Sequence, residues 1–119
     1  MNLNPSKVDA MEVVSQFGAT WAEHDLEAAL VLLTDDCMFD TTSPAPDGER
    51  FVGREAIRVA WYPIFEDLSS RFEIEEAFQV NDRVVQLWRY SWADGHVRGV
   101  DVFRVRDGKI AEKLSYVKG

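Results

Sequence analysis

Apolar residues recur at helical spacing in the first half of the chain and at alternate positions in the second. Val8, Met11, Val14, Phe17 and Trp21 make one stripe at intervals of three and four, the signature of an amphipathic helix. Asn4 before Pro5, or Ser6 with Asp9 three residues on, can open it. Asp25 is a second N-cap candidate, and Leu26, Ala29, Leu30 and Leu33 continue on one face, so a second helix is predicted to close at Asp35 and Asp36. Cys37 to Thr42 reads as a short strand. Ser43-Pro44-Ala45-Pro46-Asp47-Gly48-Glu49-Arg50 reads as a loop, a cover near the mouth of any pocket. A third helix follows Gly53, with Ile57, Ala60, Trp61, Ile64 and Phe65 on one side and a kink expected at Pro63.

From Phe72 onward the period changes to two. Strands are predicted near 71–80, 83–93, 96–106 and 109–118, joined at Asn81-Asp82, Asp94-Gly95 and Asp107-Gly108. They form an antiparallel meander, and helices followed by strands give an α+β fold. Register then assigns faces, because directly paired residues share one. A two-residue turn at Asp94-Gly95 sets Trp88 opposite Asp101, Tyr90 opposite Gly99 and Gln86 opposite Phe103. The same logic at Asp107-Gly108 sets Asp101 opposite Leu114 and Gly99 opposite Tyr116. One face therefore carries Gln86, Trp88, Tyr90, Trp92, Val97, Gly99, Asp101, Phe103, Val105, Ile110, Glu112, Leu114 and Tyr116. The other holds Val85, Leu87, Arg89, Arg98, Val100, Val102, Arg104, Lys113 and Ser115. The aromatic face is expected to cover the helices, and a bulge in either hairpin would reverse part of this assignment.

Composition narrows the function classes. The 119 residues suit a single domain, 1–119, with a core that needs no staples. A net charge of −8 disfavours nucleic acid and anionic membranes, both of which reward basic patches. One cysteine, Cys37, makes no internal disulfide and fits a reducing cytoplasm. MNLNPSK has no apolar core, so no signal peptide is expected, and no apolar run reaches the ~20 residues of a membrane span. Two distant histidines and one cysteine show no ligand spacing, so no metal is expected.

Three helices, a long loop and a four-stranded meander resemble the nuclear-transport-factor-2-like (NTF2-like) superfamily, and within it the SnoaL-like branch of polyketide cyclases and ketosteroid-isomerase-like proteins. The resemblance is carried by His24-Asp25-Leu26 through Leu33-Thr34-Asp35-Asp36, by Gly53-Arg54-Glu55-Ala56-Ile57, and by Gly99-Val100-Asp101-Val102-Phe103-Arg104-Val105 with Asp107-Gly108-Lys109-Ile110. It implies a cone: three N-terminal helices packed on a strongly curved, mainly antiparallel sheet, leaving a pocket. Ketosteroid isomerases pair a general-base Asp with an oxyanion-hole Asp and a Tyr donor. By the resemblance these positions are Thr41, Asp101 and Phe17 here, so only the second is matched. Relatives similar to limonene epoxide hydrolase place an Arg two residues before the Asp, where this chain has Gly99. SnoaL-type cyclases work with one Asp, which Asp101 can supply.

Asp101 is thus the catalytic candidate, since a carboxylate walled by aromatic rings suits proton transfer. Its bland alternative is a strand carboxylate satisfied by a neighbouring Tyr or Trp. Phe17, Trp21, Phe39, Trp61, Trp88, Tyr90, Gly99, Phe103, Leu114 and Tyr116 are the candidate substrate-binding residues. Core packing explains each aromatic singly, but together they exceed what a small core needs. Asp40 and Glu112 are secondary polar candidates, and His24 and His96 are expected at exposed turns. The function expected is that of a cofactor-free acid/base isomerase or cyclase acting on a small hydrophobic, ring-bearing molecule. Its rivals are a non-catalytic binding protein and a structural module. Val85, Leu87, Val100 and Val102, exposed together, would leave an apolar patch, so a homodimer through the outer sheet face is expected.

Overall fold

Asp9 opens the first helix, its carboxylate accepting from the Met11 backbone N–H at 3.1 Å. The computed structural model describes residues 9–119, so the alternative caps at Asn4 and Ser6, and Val8, lie outside the described residues. Helix α1 spans Ala10–Ala22 and buries Ala10, Val13, Val14, Phe17 and Thr20. Helix α2, Leu26–Val31, is capped by Asp25, which accepts from Ala28 N–H at 3.1 Å. It is shorter than its pattern predicts: the chain turns extended at Leu33, and Asp35 and Asp36 are strand residues of β1, Leu33–Asp40. Pairing with the C-terminal strand and burial of Leu33, Cys37 and Phe39 override the helical propensity there. A three-residue strand β2, Arg50–Val52, then pairs with β1 and takes in Arg50, the last residue of the expected loop. Helix α3, Arg54–Glu66, runs through Pro63 and buries Ile57, Trp61 and Phe65.

The meander is β3 (Arg71–Val80), β4 (Arg83–Trp92), β5 (Gly95–Arg106) and β6 (Lys109–Val117). The six strands form one open sheet in the order β2-β1-β6-β5-β4-β3, antiparallel throughout except where β1 runs parallel to β6. The three helices pack on it in an α+β arrangement. Asp107 and Gly108 both have positive φ, as a tight hairpin turn requires.

The structure departs from the expected register twice, and the second departure decides the site. The first hairpin turns at Ala93-Asp94, one residue early, so Trp92 pairs with Gly95 and Trp88 with Gly99. Each tryptophan lies against the glycine opposite: a Cβ on Gly99 would stand 2.6 Å from the Trp88 ring, and one on Gly95 3.4 Å from Trp92. These Trp–Gly pairs set the register. Asp101 accordingly faces Gln86, not Trp88. The shift is two residues in pairing, so the faces of β4 and β5 stay as read from the sequence. The second departure is a bulge on β6. Val105 pairs with Ile110 but Arg104 pairs with Glu112, leaving Ala111 as the extra residue. Beyond Ala111 every side chain of β6 is reversed. Lys113 and Ser115 now share the helix-facing side with Phe103 and Asp101, whereas Glu112, Leu114 and Tyr116 join Arg104, Val102 and Val100 outside.

Candidate functional site

The inner face of the sheet and the helices line a partly open cavity of about 360 Å³. Trp21 of α1, Ala60 and Ile64 of α3, Phe39 of β1, and Phe72, Trp88 and Tyr90 of the meander line it. Their rings form a chain of contacts: Trp21 to Phe72 at 5.6 Å between centroids, Phe72 to Trp88 at 5.4 Å. Thr41, Thr42, Ser43 and Glu49 stand at one side, so the 43–50 loop does border the cavity. Thr41 ties that loop down: its N–H donates to Glu49 O at 2.9 Å and its Oγ1 to Ser43 O at 2.6 Å.

Asp101 and Lys113 are the charged groups buried against this cavity. Asp101 is 1% exposed, and Lys113 Nζ lies 3.2 Å from its Oδ2. The approach is ionic and not a directed hydrogen bond. Neither carboxylate oxygen has a hydrogen-bond partner among the described residues. Lys113 instead donates to Ser115 Oγ at 3.0 Å. Its ammonium lies 4.8 Å from the centre of the Phe39 ring and 5.3 Å from that of Trp21, so aromatic faces supply the rest of its surroundings. The indole N–H groups of Trp21 and Trp88 are also buried without a partner among the described residues. Unused donors and an unused acceptor are thus buried in the apolar walls of the cavity.

Of the residues expected to hold a ligand, Trp21, Phe39, Trp88 and Tyr90 border the cavity, as does Asp101. Phe17, Trp61 and Phe103 lie behind it as buried core, Phe17 contacting Trp61 at 5.6 Å and Phe103 at 5.8 Å. Gly99 leaves no room for a ligand, because the Trp88 indole and the Tyr116 carbonyl fill the space beside it. Leu114 and Tyr116 are displaced to the outer face by the Ala111 bulge. Glu112 goes with them and pairs with Arg104 at 3.0 Å. Asp40 is held by the Arg50 guanidinium at 2.7 and 2.9 Å, whose hydrogen bonds lower its pKa. His24, expected to be exposed, is half-buried, with Nε2 3.1 Å from Ser70 O and Nδ1 3.3 Å from Phe65 O.

Lys113 is the group that sequence reasoning placed on the wrong side. The signal is the adjacent apolar pair Ile110-Ala111, which breaks strict alternation in KIAEKLSYV. Counting from Ile110 turns Leu114 and Tyr116 inward; counting from Ala111 turns Lys113 and Ser115 inward. The first choice buries more apolar surface and is the natural one from sequence. The structure takes both, burying Ile110 and Ala111 in succession.

The same architecture recurs in solved structures. An NTF2-like protein of unknown function from Mesorhizobium loti is 39% identical, with a TM-score of 0.86, and the match covers 100% of this chain and 98% of that one. A protein from Kribbella flavida named as a candidate ketosteroid isomerase is 13% identical at a TM-score of 0.77, with 92% of this chain and 78% of that one covered. A candidate polyketide cyclase from Pseudomonas putida is 20% identical at a TM-score of 0.75, with 93% and 92% covered; at such identities the likeness is one of fold. A comparison with curated proteins finds no match. The SnoaL-like domain model matches residues 14–113, a span that takes in most of α1, strands β1 to β5, the first part of β6 and both members of the Asp101–Lys113 pair, and the chain belongs to that family.

Proposed function

We propose that the chain is a cofactor-free enzyme that binds a small hydrophobic, ring-bearing molecule in the aromatic cavity and isomerises or cyclises it by acid/base catalysis at Asp101. The observation that carries this reading is Asp101 itself: a carboxylate 1% exposed, bordering a cavity of about 360 Å³, with Oδ1 and Oδ2 free of hydrogen bonds among the described residues. A buried acceptor without a directed hydrogen bond is costly even beside an ion-pair partner, which suits a carboxylate that a ligand completes. Trp21, Phe39, Trp88 and Tyr90 would hold the ring. The unused indole N–H groups and Lys113 would donate to a ligand oxygen, and Asp101 would take or give the proton. Names such as isomerase and cyclase among proteins of the same fold agree with this chemistry.

The test is deuterium exchange next to the carbonyl of a panel of cyclic ketones and enones in heavy water. The expected result is exchange above the buffer rate, falling ~10²–10⁴-fold in Asp101→Asn, the usual contribution of a positioned acid/base. Exchange at the buffer rate, or equal exchange in Asp101→Asn, would overturn the reading. Binding of the same compounds without exchange would leave a non-catalytic carrier. That rival draws on the same cavity, and a computationally designed 17-OHP binder shares the fold at a TM-score of 0.78.

Association is proposed through the outer sheet face. Phe78, Val85, Val102 and Leu114 lie in one cross-strand row, and Leu87, Val100 and Tyr116 in the next. Two copies of the chain meeting on these rows would cover them.

A further inference from the structure

We propose that Lys113 is a covalent catalytic residue, forming a Schiff base with the carbonyl carbon of a small aromatic or alicyclic aldehyde or ketone bound in the cavity. This rests on the reading of that cavity as a small-molecule site and names the substrate class it would take. Four observations meet at this one nitrogen. The amine is buried, its side chain 7% exposed, yet it borders the cavity. Aromatic faces and one hydroxyl surround it, an environment that does little to hydrate a cation. A carboxylate stands 3.2 Å away to receive its proton. That carboxylate has no hydrogen-bond partner among the described residues, which leaves it free to pass the proton on.

Charge selects a carbonyl over an anion. Lys113 is already matched by Asp101, no arginine among the described residues borders the cavity, and Glu49 adds negative charge at its edge. A carboxylate or phosphate would be repelled by Asp101 and Glu49. A neutral carbonyl meets no such penalty.

The steps balance with the residues present. Lys113 passes a proton to Asp101, and the free amine adds to the carbonyl carbon. The C–N bond forms as the C=O π pair moves to oxygen, which takes the proton from Asp101. Asp101 then removes a proton from nitrogen and delivers it to the hydroxyl. Water leaves, the nitrogen lone pair forms C=N, and an iminium faces the Asp101 carboxylate. Ammonium and carbonyl have become iminium and water, and the charge arrangement of the resting pair is restored. An iminium also accepts the electron pair of an adjacent C–H bond, whose proton Asp101 is placed to take.

The chain supplies its own control, since its four lysines are Lys7, Lys109, Lys113 and Lys118, and Lys109 and Lys118 are exposed. The protein is incubated with benzaldehyde and cyanoborohydride, digested, and the benzylated lysine located by mass spectrometry. Tryptophan fluorescence with benzaldehyde and with benzyl alcohol reads occupancy of the cavity separately. The expected result is one adduct per chain on Lys113 and its loss in Lys113→Arg. In Asp101→Asn, trapping is expected to slow at least ~10-fold, as loss of a proton relay predicts. Circular dichroism confirms that each variant is folded, and the mapping in the unaltered protein stands without them. A fluorescence change without an adduct, or labelling of Lys109 and Lys118 as fast as Lys113, overturns the Schiff base and leaves the cavity reading intact. No fluorescence change with either compound, and no adduct, overturns both.

Discussion

Lys113 reaches Asp101 diagonally across the β5–β6 pairing, its Nζ 3.2 Å from Oδ2, while the residue directly opposite Asp101 is Ser115. Both charges are buried, so each depends on the other. Removing one partner of such a pair leaves an uncompensated charge, which costs about 3–5 kcal/mol, whereas replacing both with apolar groups is often neutral. Lys113→Met and Asp101→Leu are therefore each expected to lower the urea unfolding free energy by about 3–5 kcal/mol. The double variant is expected to recover most of that loss. Additive losses in the double variant would mean that the two side chains do not stabilise one another.

The Trp–Gly pairs predict opposite outcomes for two similar substitutions. In Gly99→Ala the new Cβ would sit 2.3 Å from the Tyr116 carbonyl oxygen and 2.6 Å from the Trp88 ring, so strand or indole must move. The expected cost is about 1–3 kcal/mol, the range for overpacking, together with altered Trp fluorescence. In Gly95→Ala the nearest atom is the Trp92 ring at 3.4 Å, an ordinary contact. With less backbone entropy lost on folding, this change is expected to be neutral or to stabilise by up to about 1 kcal/mol. Equal effects at the two sites in thermal melts would contradict the packing described.

The aromatic periodicity of β4 and β5 was enough to place Asp101 on the helix-facing side. The turn misread by one residue did not matter, because a pairing shift of two preserves the faces. What local sequence did not resolve was a choice made by tertiary packing. The Ala111 bulge inserts one residue, and the alternation of β6 contains no turn or glycine to announce it. Its effect reverses Lys113 and Leu114 together, so a single missed residue hid half of the charged pair. The early end of α2 has a similar cause. Leu33 continues the helical stripe, but the β1–β6 ladder claims it. Trp61, Phe17 and Phe103 were candidates for the cavity by type alone, and only packing depth distinguishes a wall from the core behind it.

The ionisable groups set a stability window. Burial pushes the Cys37 thiol from 9.0 up to about 12. The folded state therefore keeps a proton that the unfolded chain releases, and this contribution is full below about pH 9 and lost as pH rises toward 12. On the acid side, hydrogen bonds lower Asp40 (from Arg50), Asp36 (from Arg106) and Glu75 (from Arg98). Their contribution is full above the ordinary carboxylate range and fades as pH falls below about 4. Urea midpoints are expected to be flat between about pH 5 and 8.5 and to fall on either side. At pH 8 a disulfide reagent is expected to leave Cys37 unmodified in the native protein and to label it rapidly in urea. Rapid native labelling would show that Cys37 is not buried as described.

The outer face predicts the assembly. Val85, Leu87, Val100, Val102 and Leu114 are only half-buried, and Phe78 and Tyr116 are 45% and 58% exposed. Arg98 and Arg104 flank these rows, neutralised by Glu75 on one side and by Asp82 and Glu112 on the other. An apolar centre with a charge-matched border is the layout of a protein–protein interface. Sedimentation is expected to find a dimer at micromolar concentration. Val100→Glu would set a carboxylate in the middle of the joined sheets, where an unpaired charge costs about 3–5 kcal/mol. Its dissociation constant is therefore expected to rise about a hundredfold or more, since every 1.4 kcal/mol is about tenfold. The side chain points away from the cavity, so ligand binding by the monomer is expected to persist. A monomer at micromolar concentration for the unaltered chain, or a dimer unaffected by Val100→Glu, would show that the sheet face is not where two copies meet.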